Sequence, residues 1–534
     1  MASLGGRNRA GLAAQASEGW AIARLTPPSR LHGANGLRTG ADGRIYVAQV
    51  AGSQVSAIDV DTGAIETISA MGSAIVAPDD LVFDEAGNLY LTEITQGRVS
   101  LLAPNGTTRV IHGDIPVANP ITFHQGRLIA GELRMGARIM ELDRDGGAPR
   151  VILDNVPMAN AFEVGPDGML YFPAQAANEI WRVSLDGGPP EVVARDLGVP
   201  DSVKFHPDGY IVSTQVGSGQ VLRIDPRTGA KSVLAQLTPG LDNVTFIQSR
   251  TFVSHITGSI HELMPGGQAR AVVDKGLQWP MGLALGADGT LAVADGMFAY
   301  ALAPGGSLAL MAMLFSPGYP GFIRGLATGG SGEWIVATAN GTVARWRPDE
   351  GANDLLAHGL DIPMGVVVAA GGAVVVAESG AGRVLLLEDG GQSVLARDLA
   401  EPTGVAIGAD GTVYVSESGA GRVVKLTGGR SETVLDGLGR PEGLALRDDT
   451  LFVIDVAGKQ LVSCDTDGGQ RKTIATHLAV GAPEGLGRIA AGGVGDMCGP
   501  MTAFTGLVAS DDGTLYLSAD AEGCVLALRP NSNR

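Results

Sequence analysis

A unit of about 40 residues recurs twelve times, each copy carries short apolar runs of strand length, and 79 of the 534 residues are glycine, so the sequence predicts an all-β chain of two tandem six-bladed β-propellers. Helical periodicity is nearly absent. Without a collagen period, that glycine content calls for many tight turns. Apolar residues make up 45% of the chain, enough to fill the cores of two such domains.

The copies begin near Asn35, Pro78, Asn119, Asn160, Pro200 and Leu241, then near Pro280, Ile323, Pro363, Pro402, Pro441 and Thr505. Asn35–Gly63 and Pro402–Gly429 show the template: strand, Asp-Gly turn, strand, Gly turn, strand. The Asp-Gly pair predicts a type I′ hairpin with two positive φ angles. Twelve blades exceed the usual maximum of about eight in one ring. The division is therefore two rings of six, propeller one over 33–277 and propeller two over 278–534.

The last copy stops at Arg534 without an outer strand, whereas Gly19–Leu25 has strand character and no partner nearby. Residues 19–32 are expected to close that blade and then link to propeller one, because an open ring leaves unpaired strand edges. Residues 1–18 are expected to be disordered or extended. A Gly-rich insertion over 475–503 interrupts propeller two, and a loop of that length suggests a rim or lid.

The net charge of −18 and pI near 4.9 argue against nucleic acid and against an anionic membrane as partners, since both require a basic footprint. No window is apolar long enough to span a bilayer as a helix. The N-terminus lacks the apolar core of a secretory signal. Cys464, Cys498 and Cys524 show no metal-ligand spacing and read as reduced structural thiols in a cytoplasmic protein. Oligomeric state is not legible.

In a propeller, equivalent positions of successive blades form rings about the axis, so the copies can be compared by column. The residue opening each inner strand is Asn35, Asp79, Asn119, Asn160, Asp201 and Asp242 in propeller one. In propeller two the same column reads Met281, Arg324, Met364, Thr403, Glu442 and Thr505. Turn chemistry favours Asn and Asp, but the second propeller makes the same turns without them. Six oxygen-bearing side chains on one axis suit a hard cation, Ca²⁺ above all, and the absence of His and Cys disfavours zinc.

A second column ends the next strand: Gln49, Glu93, Glu132, Ala174, Gln215 and His255, then Asp295, Thr338, Glu378, Glu417, Asp455 and Ala519. Glu93, Glu132 and His255 are candidate proton-transfer groups if they face the cavity, although acids here also cap turns. Arg134 and Arg138 could meet an anionic substrate.

Ala159–Val183 followed by Pro200–Thr214 resembles the paired core motifs of the gluconolactonase/regucalcin family, and Asn119–Leu133 resembles its third motif. The resemblance implies a six-bladed propeller with one axial divalent cation, Asn160 and Asp201 as ligands and Asn119 at or beside the metal. The family's Glu at the opening of its first blade is Asn35 here, which lowers the ligand charge. Propeller two resembles NHL-repeat and virginiamycin-lyase-type blades.

The resulting expectation is a metal-dependent enzyme. Asn119, Asn160 and Asp201 hold Ca²⁺ with Asn35, Asp79 and Asp242 on the same ring, and Asp201, Glu132, Glu93 or His255 moves the proton. The family-implied reaction is hydrolysis of a small ester or lactone. A lyase, hydratase or isomerase could use the same constellation, and a non-catalytic ligand- or protein-binding propeller is the rival. A further possibility sets Arg324, Glu442 and His477 as a polar cluster against Met281 and Met364 in propeller two.

Overall fold

The computed structural model describes residues 7, 12–314, 316–481 and 503–531. They form twelve antiparallel sheets, eleven of four strands and one of five. Among the described residues there is no α-helix, only short 3₁₀ turns at Gln175–Ala177 and Pro348–Glu350. No helix is long and apolar enough to cross a membrane.

The described chain divides into two compact units, Arg30–Lys275 on one side and, on the other, the residues up to Ser29 together with those from Gly276 onward. The Arg30–Lys275 unit is propeller one. Its first blade is Leu37–Thr39, Ile45–Gln49, Gln54–Ile58 and Ile65–Ser69, and five more blades of four consecutive strands follow. Its ring closes where the inner strand of blade six, Leu241–Ile247, packs on Leu37–Thr39. Among the described residues it borrows no strand from elsewhere.

Propeller two is assembled differently. Its inner strands are Leu283–Leu285, Ile323–Gly330, Pro363–Val368, Pro402–Ile407, Pro441–Arg447 and Leu507–Ala509. The last blade takes Trp20–Arg24 as its outer strand, with Trp20 opposite Pro530 and Arg24 opposite Leu526. Gln15–Ala16 adds a fifth strand outside Lys472–Thr476, so this part of the N-terminal segment is extended and paired. Ser29 Oγ donates to the carbonyl of Leu277 at 2.6 Å, which pins the point of departure to propeller one against the point of return.

The strands form because apolar residues fill the slots between adjacent blades. Leu37, Ile45 and Val47 of blade one pack with Phe252 and Ile260 of blade six. Each such side chain contributes about 1.5–3 kcal/mol when fully buried. Prolines fall at strand starts, as at Pro78, Pro363, Pro402 and Pro441, where no ladder donor is lost.

The Asp-Gly turns depart from expectation. Gly43 has φ +79° but Asp42 is absent from the left-handed region. The Gly43 N–H reaches the Gly40 carbonyl at 3.0 Å and the Gly40 N–H reaches Arg44 O at 2.9 Å. That is a three-residue loop with a type I turn and a glycine bulge, not a type I′ hairpin. Asp42 Oδ1 accepts the Arg44 N–H at 3.1 Å, and Asp288, Asp410 and Asp512 repeat the contact, so the aspartate closes the turn with its side chain rather than with its backbone.

Cys464 and Cys524 are buried free thiols, while Cys498 lies outside the described residues. So does most of the 475–503 insertion.

Candidate functional site at the axis of propeller one

The inner strands of propeller one bring the first column together. Asp79, Asp201 and Asp242 face one axial space with Asn35, Asn119 and Asn160 between them. Asp79 and Asp201 are buried and Asp242 is half-buried. Burial first, then the charge of the neighbouring carboxylates, holds all three carboxyls well above the usual range.

The amides orient these acids. Asn35 Nδ2 donates to Asp242 Oδ2 at 3.1 Å, and Asn160 Nδ2 donates to Asp201 Oδ2 at 3.1 Å. Gln175 Nε2 reaches the same Asp201 oxygen at 3.2 Å, and Asn119 hydrogen-bonds Asp79. The amide carbonyls are used elsewhere: Asn35 Oδ1 accepts the Val50 N–H and Asn160 Oδ1 accepts the Ala161 N–H. Asn35 and Asn160 were expected to offer carbonyl oxygens to an ion. They offer N–H donors to the acids instead, which leaves the aspartates as the oxygen donors of the ring.

The donor chemistry is that of a hard cation, oxygen only and negatively charged. Among the described residues no three His, Cys, Asp or Glu side chains are placed to hold one metal ion by themselves.

A deeper layer went unnoticed in the sequence. Asp80, the residue after the column, is buried on the same axis; it adds to the field at Asp79, Asp201 and Asp242 and accepts the Leu81 N–H at 2.8 Å. Asn243 donates to it at 3.4 Å. Two residues further along the strands stand Arg38 and Lys204. Arg38 donates to the carbonyls of Leu81 and Ile121 at 2.9 and 3.1 Å, and Lys204 Nζ donates to Phe162 O at 3.1 Å. Burial pulls the Lys204 ammonium down to about 8. The channel of propeller one thus has an acidic layer followed by one of mixed charge, in which Glu163 stands with Arg38 and Lys204. The signal was the pairing Asp79-Asp80 and the lone Arg and Lys in otherwise apolar strands.

The second column does another job. Glu93 Oε2 accepts the Val76 N–H at 2.7 Å while Arg98 grips both of its oxygens and Ser100 donates to it. Glu132 is held by Arg134, Arg138 and the Arg138 N–H. His255 Nε2 lies 2.8 Å from Pro239 O and Nδ1 lies 2.8 Å from Thr257 Oγ1, and burial pushes its pKa down to about 4. Glu93, Glu132 and His255 were expected to move protons. They are latches: Glu132 is held by the side chains of Arg134 and Arg138 and by the Arg138 N–H, and Glu93 and His255 spend polar atoms on the backbone that enters the inner strand. The same contact recurs through Gln49 to the His32 N–H, Gln215 to Gly198, Asp295 to Gln278 and Trp279, Glu378 to Asp361, Glu417 to Ala400 and Asp455 to Arg440. Arg134 and Arg138 form the latch of blade three through Glu132.

In propeller two, Glu442 and Asp520 meet through Thr505, which donates its N–H to Glu442 at 2.8 Å and its hydroxyl to Asp520 at 3.1 Å. Burial and then the charge of Asp520 push Glu442 up to about 7. His477 is exposed and stands beside Ile22 and Arg24 of the outer strand and Glu522 of the turn before Cys524, away from the inner-strand column that carries Glu442 and Arg324. Asp520, one residue beyond the expected Ala519, is the latch of this blade, bound to the Gly481 N–H at 2.8 Å.

No protein-family model matches the chain, and no curated protein matches it. Among solved structures, the chain is similar to a streptogramin B lyase, with 18% identity over 52% of this chain and 97% of that one and a TM-score of 0.39. It is likewise similar to virginiamycin B lyase from Staphylococcus aureus, with 15% identity over 52% and 96% of the two chains and a TM-score of 0.38.

Proposed function

We propose that the axis of propeller one binds a hydrated divalent cation, Ca²⁺ in the first instance, and that the chain is a cation-dependent hydrolase of a small ester or lactone. The observation that carries the reading is the convergence of Asp79, Asp201 and Asp242 on one buried axial space, with no basic group in their layer. Three acids in that setting favour a positive guest, because each raises the cost of ionising the others. The resemblance of Ala159–Thr214 to the gluconolactonase/regucalcin motifs supports the substrate class.

The ion, when bound, polarises a carbonyl or activates a water. The chain's own residues do the positioning. Asn160 and Gln175 both take Asp201 Oδ2, and no described residue donates to Oδ1. Asn35 sets Asp242 and Asn119 sets Asp79. Asp201 is the first choice for a group that touches substrate.

Elemental analysis of the purified chain is expected to find one divalent ion per molecule. Chelator should lower its melting temperature and abolish lactone turnover, and Asp201→Asn combined with Asp242→Asn should remove both effects of chelator. A metal-free protein whose melting temperature ignores chelator overturns the reading. Turnover of a carbonyl compound by elimination or isomerisation, with no ester or lactone hydrolysed, would keep the cation and replace the reaction.

A further inference from the structure

The inner strands of propeller two run through the same columns as those of propeller one, yet their axis is built from different chemistry. The residue after the opening column is glycine in all six blades: Gly282, Gly325, Gly365, Gly404, Gly443 and Gly506. Each sits against a carbonyl of the next strand around the ring; a Cβ on Gly282 would stand 2.6 Å from Arg324 O, and one on Gly365 2.6 Å from Thr403 O. The ring closes on itself, Gly506 against Met281 O. Here the channel narrows to a space of about 40 Å³, room for roughly one water.

Beyond the constriction the channel opens into a cavity of about 810 Å³. Each strand contributes three consecutive residues to its wall, Leu283 to Leu285 in blade one and Leu507 to Ala509 in blade six, and of the eighteen residues only Thr328 is polar. The Thr328 hydroxyl is already spent on Leu285 O at 2.6 Å. Along each strand the wall passes from buried to half-buried, as from Leu283 to Leu285, and it ends at turns where Ala287, Asp511 and Asp512 are exposed. The cavity is closed at the glycine ring and open at the turns.

The fold does not require such a hole. Propeller one fills the matching positions with Arg38, Glu163 and Lys204 where propeller two has Ala284, Ala406 and Ala445. A solvent-open space of this size, walled by aliphatic side chains, lies within the range of about 300–1,000 Å³ typical of small-molecule pockets. Leaving it wet exposes aliphatic surface at about 25 cal/mol per Å².

We propose that this cavity is a binding site for a compact, uncharged small molecule with an apolar body, separate from the acidic axis of propeller one. The strand wall offers aliphatic side chains with backbone polar groups exposed between them and no charged side chain, so the ligand class is neutral, with both apolar surface and hydrogen-bonding groups. The paired carboxylates at the mouth, Asp511 and Asp512, discriminate against anions.

The test uses the full chain and the neutral probe N-phenyl-1-naphthylamine, whose fluorescence rises in apolar surroundings. The wild type should bind it saturably. Ala284→Arg copies propeller one: the new guanidinium finds the carbonyls of Leu326 and Val366 where Arg38 finds those of Leu81 and Ile121, and it should abolish the fluorescence rise. Val508→Phe, which fills the wall without charge, is the second variant should the first misfold, and circular dichroism and melting temperature report folding for both. Loss of probe binding in a folded variant supports the site. Absence of binding to the wild type, or undiminished binding to either folded variant, overturns it. Chelator should leave probe binding unchanged, so failure here and failure of the cation site are read separately.

Discussion

A single histidine shows how an equivalent position can change character between blades. His255 occupies the place that Gln49 and Gln215 hold in blades one and five, and all three secure the backbone leading into their inner strand or next to it. Burial keeps the imidazole neutral, with its pKa lowered to about 4. An unfolded histidine takes up its proton near pH 6.5, so between about 6.5 and 4 the unfolded chain binds more protons than the folded one. His255 is therefore expected to make stability rise with pH across that window, and stability is lost as pH falls through it. His255→Gln, which borrows the residue of the sister blades, should flatten the fall in melting temperature between pH 6.5 and 4 relative to the wild type. Equal slopes for the two proteins would refute the assignment. Glu262 works in the opposite charge sense. Arg250 and Arg270 hold its carboxylate down to about 2, so Glu262→Gln should lower the melting temperature at neutral pH, with the deficit shrinking as pH falls from about 4.5 toward 2.

At the scale of elements, the repeat was legible because each copy carries its own punctuation, an Asp-Gly turn at nearly fixed distance from an apolar run. The turn type was not legible, because two loops with the same dipeptide differ only in which residue has positive φ. The axial acids were legible as a column of Asn and Asp, but the direction in which Asn35 and Asn160 point depends on backbone N–H groups of Val50 and Ala161 that no pattern announces. The latches were misread for a related reason: Glu93 and Glu132 look titratable in sequence, and only the fold shows Arg98 and Arg138 closing on them. The glycine ring stands one residue beyond the opening column, and glycine alone carries no pattern that separates it from turn glycines. Its role gives a direct test. Gly404→Ala sets a methyl against the Glu442 carbonyl where the backbone has no room. It should cost about 1–3 kcal/mol, the usual range for overpacking, measured by denaturant unfolding. Gly390→Ala, at an exposed hairpin with nothing near, is a poor control because its φ is +73°; Gly330→Ala, with open space and no positive φ, is the proper one and should cost much less.

For the whole molecule, the two rings differ in how they are sealed. Propeller one is complete within Arg30–Lys275, while propeller two needs Trp20–Arg24 to finish its sixth blade. Removing the residues before Ser29 should expose the edge of Cys524–Pro530 and lower the unfolding temperature of propeller two alone. Hydrogen exchange would show this as lost protection in Leu507–Pro530, with protection across Leu37–Val273 unchanged; a uniform loss would show that the rings unfold as one. The order of synthesis gives this seal a further meaning. The strand that closes propeller two leaves the ribosome before either ring and must stay unpaired until its partner, several hundred residues later, has been made. Propeller one can mature during that wait. A prematurely ended product would therefore carry one finished ring and one open edge, and the open edge is what a chaperone or protease would recognise.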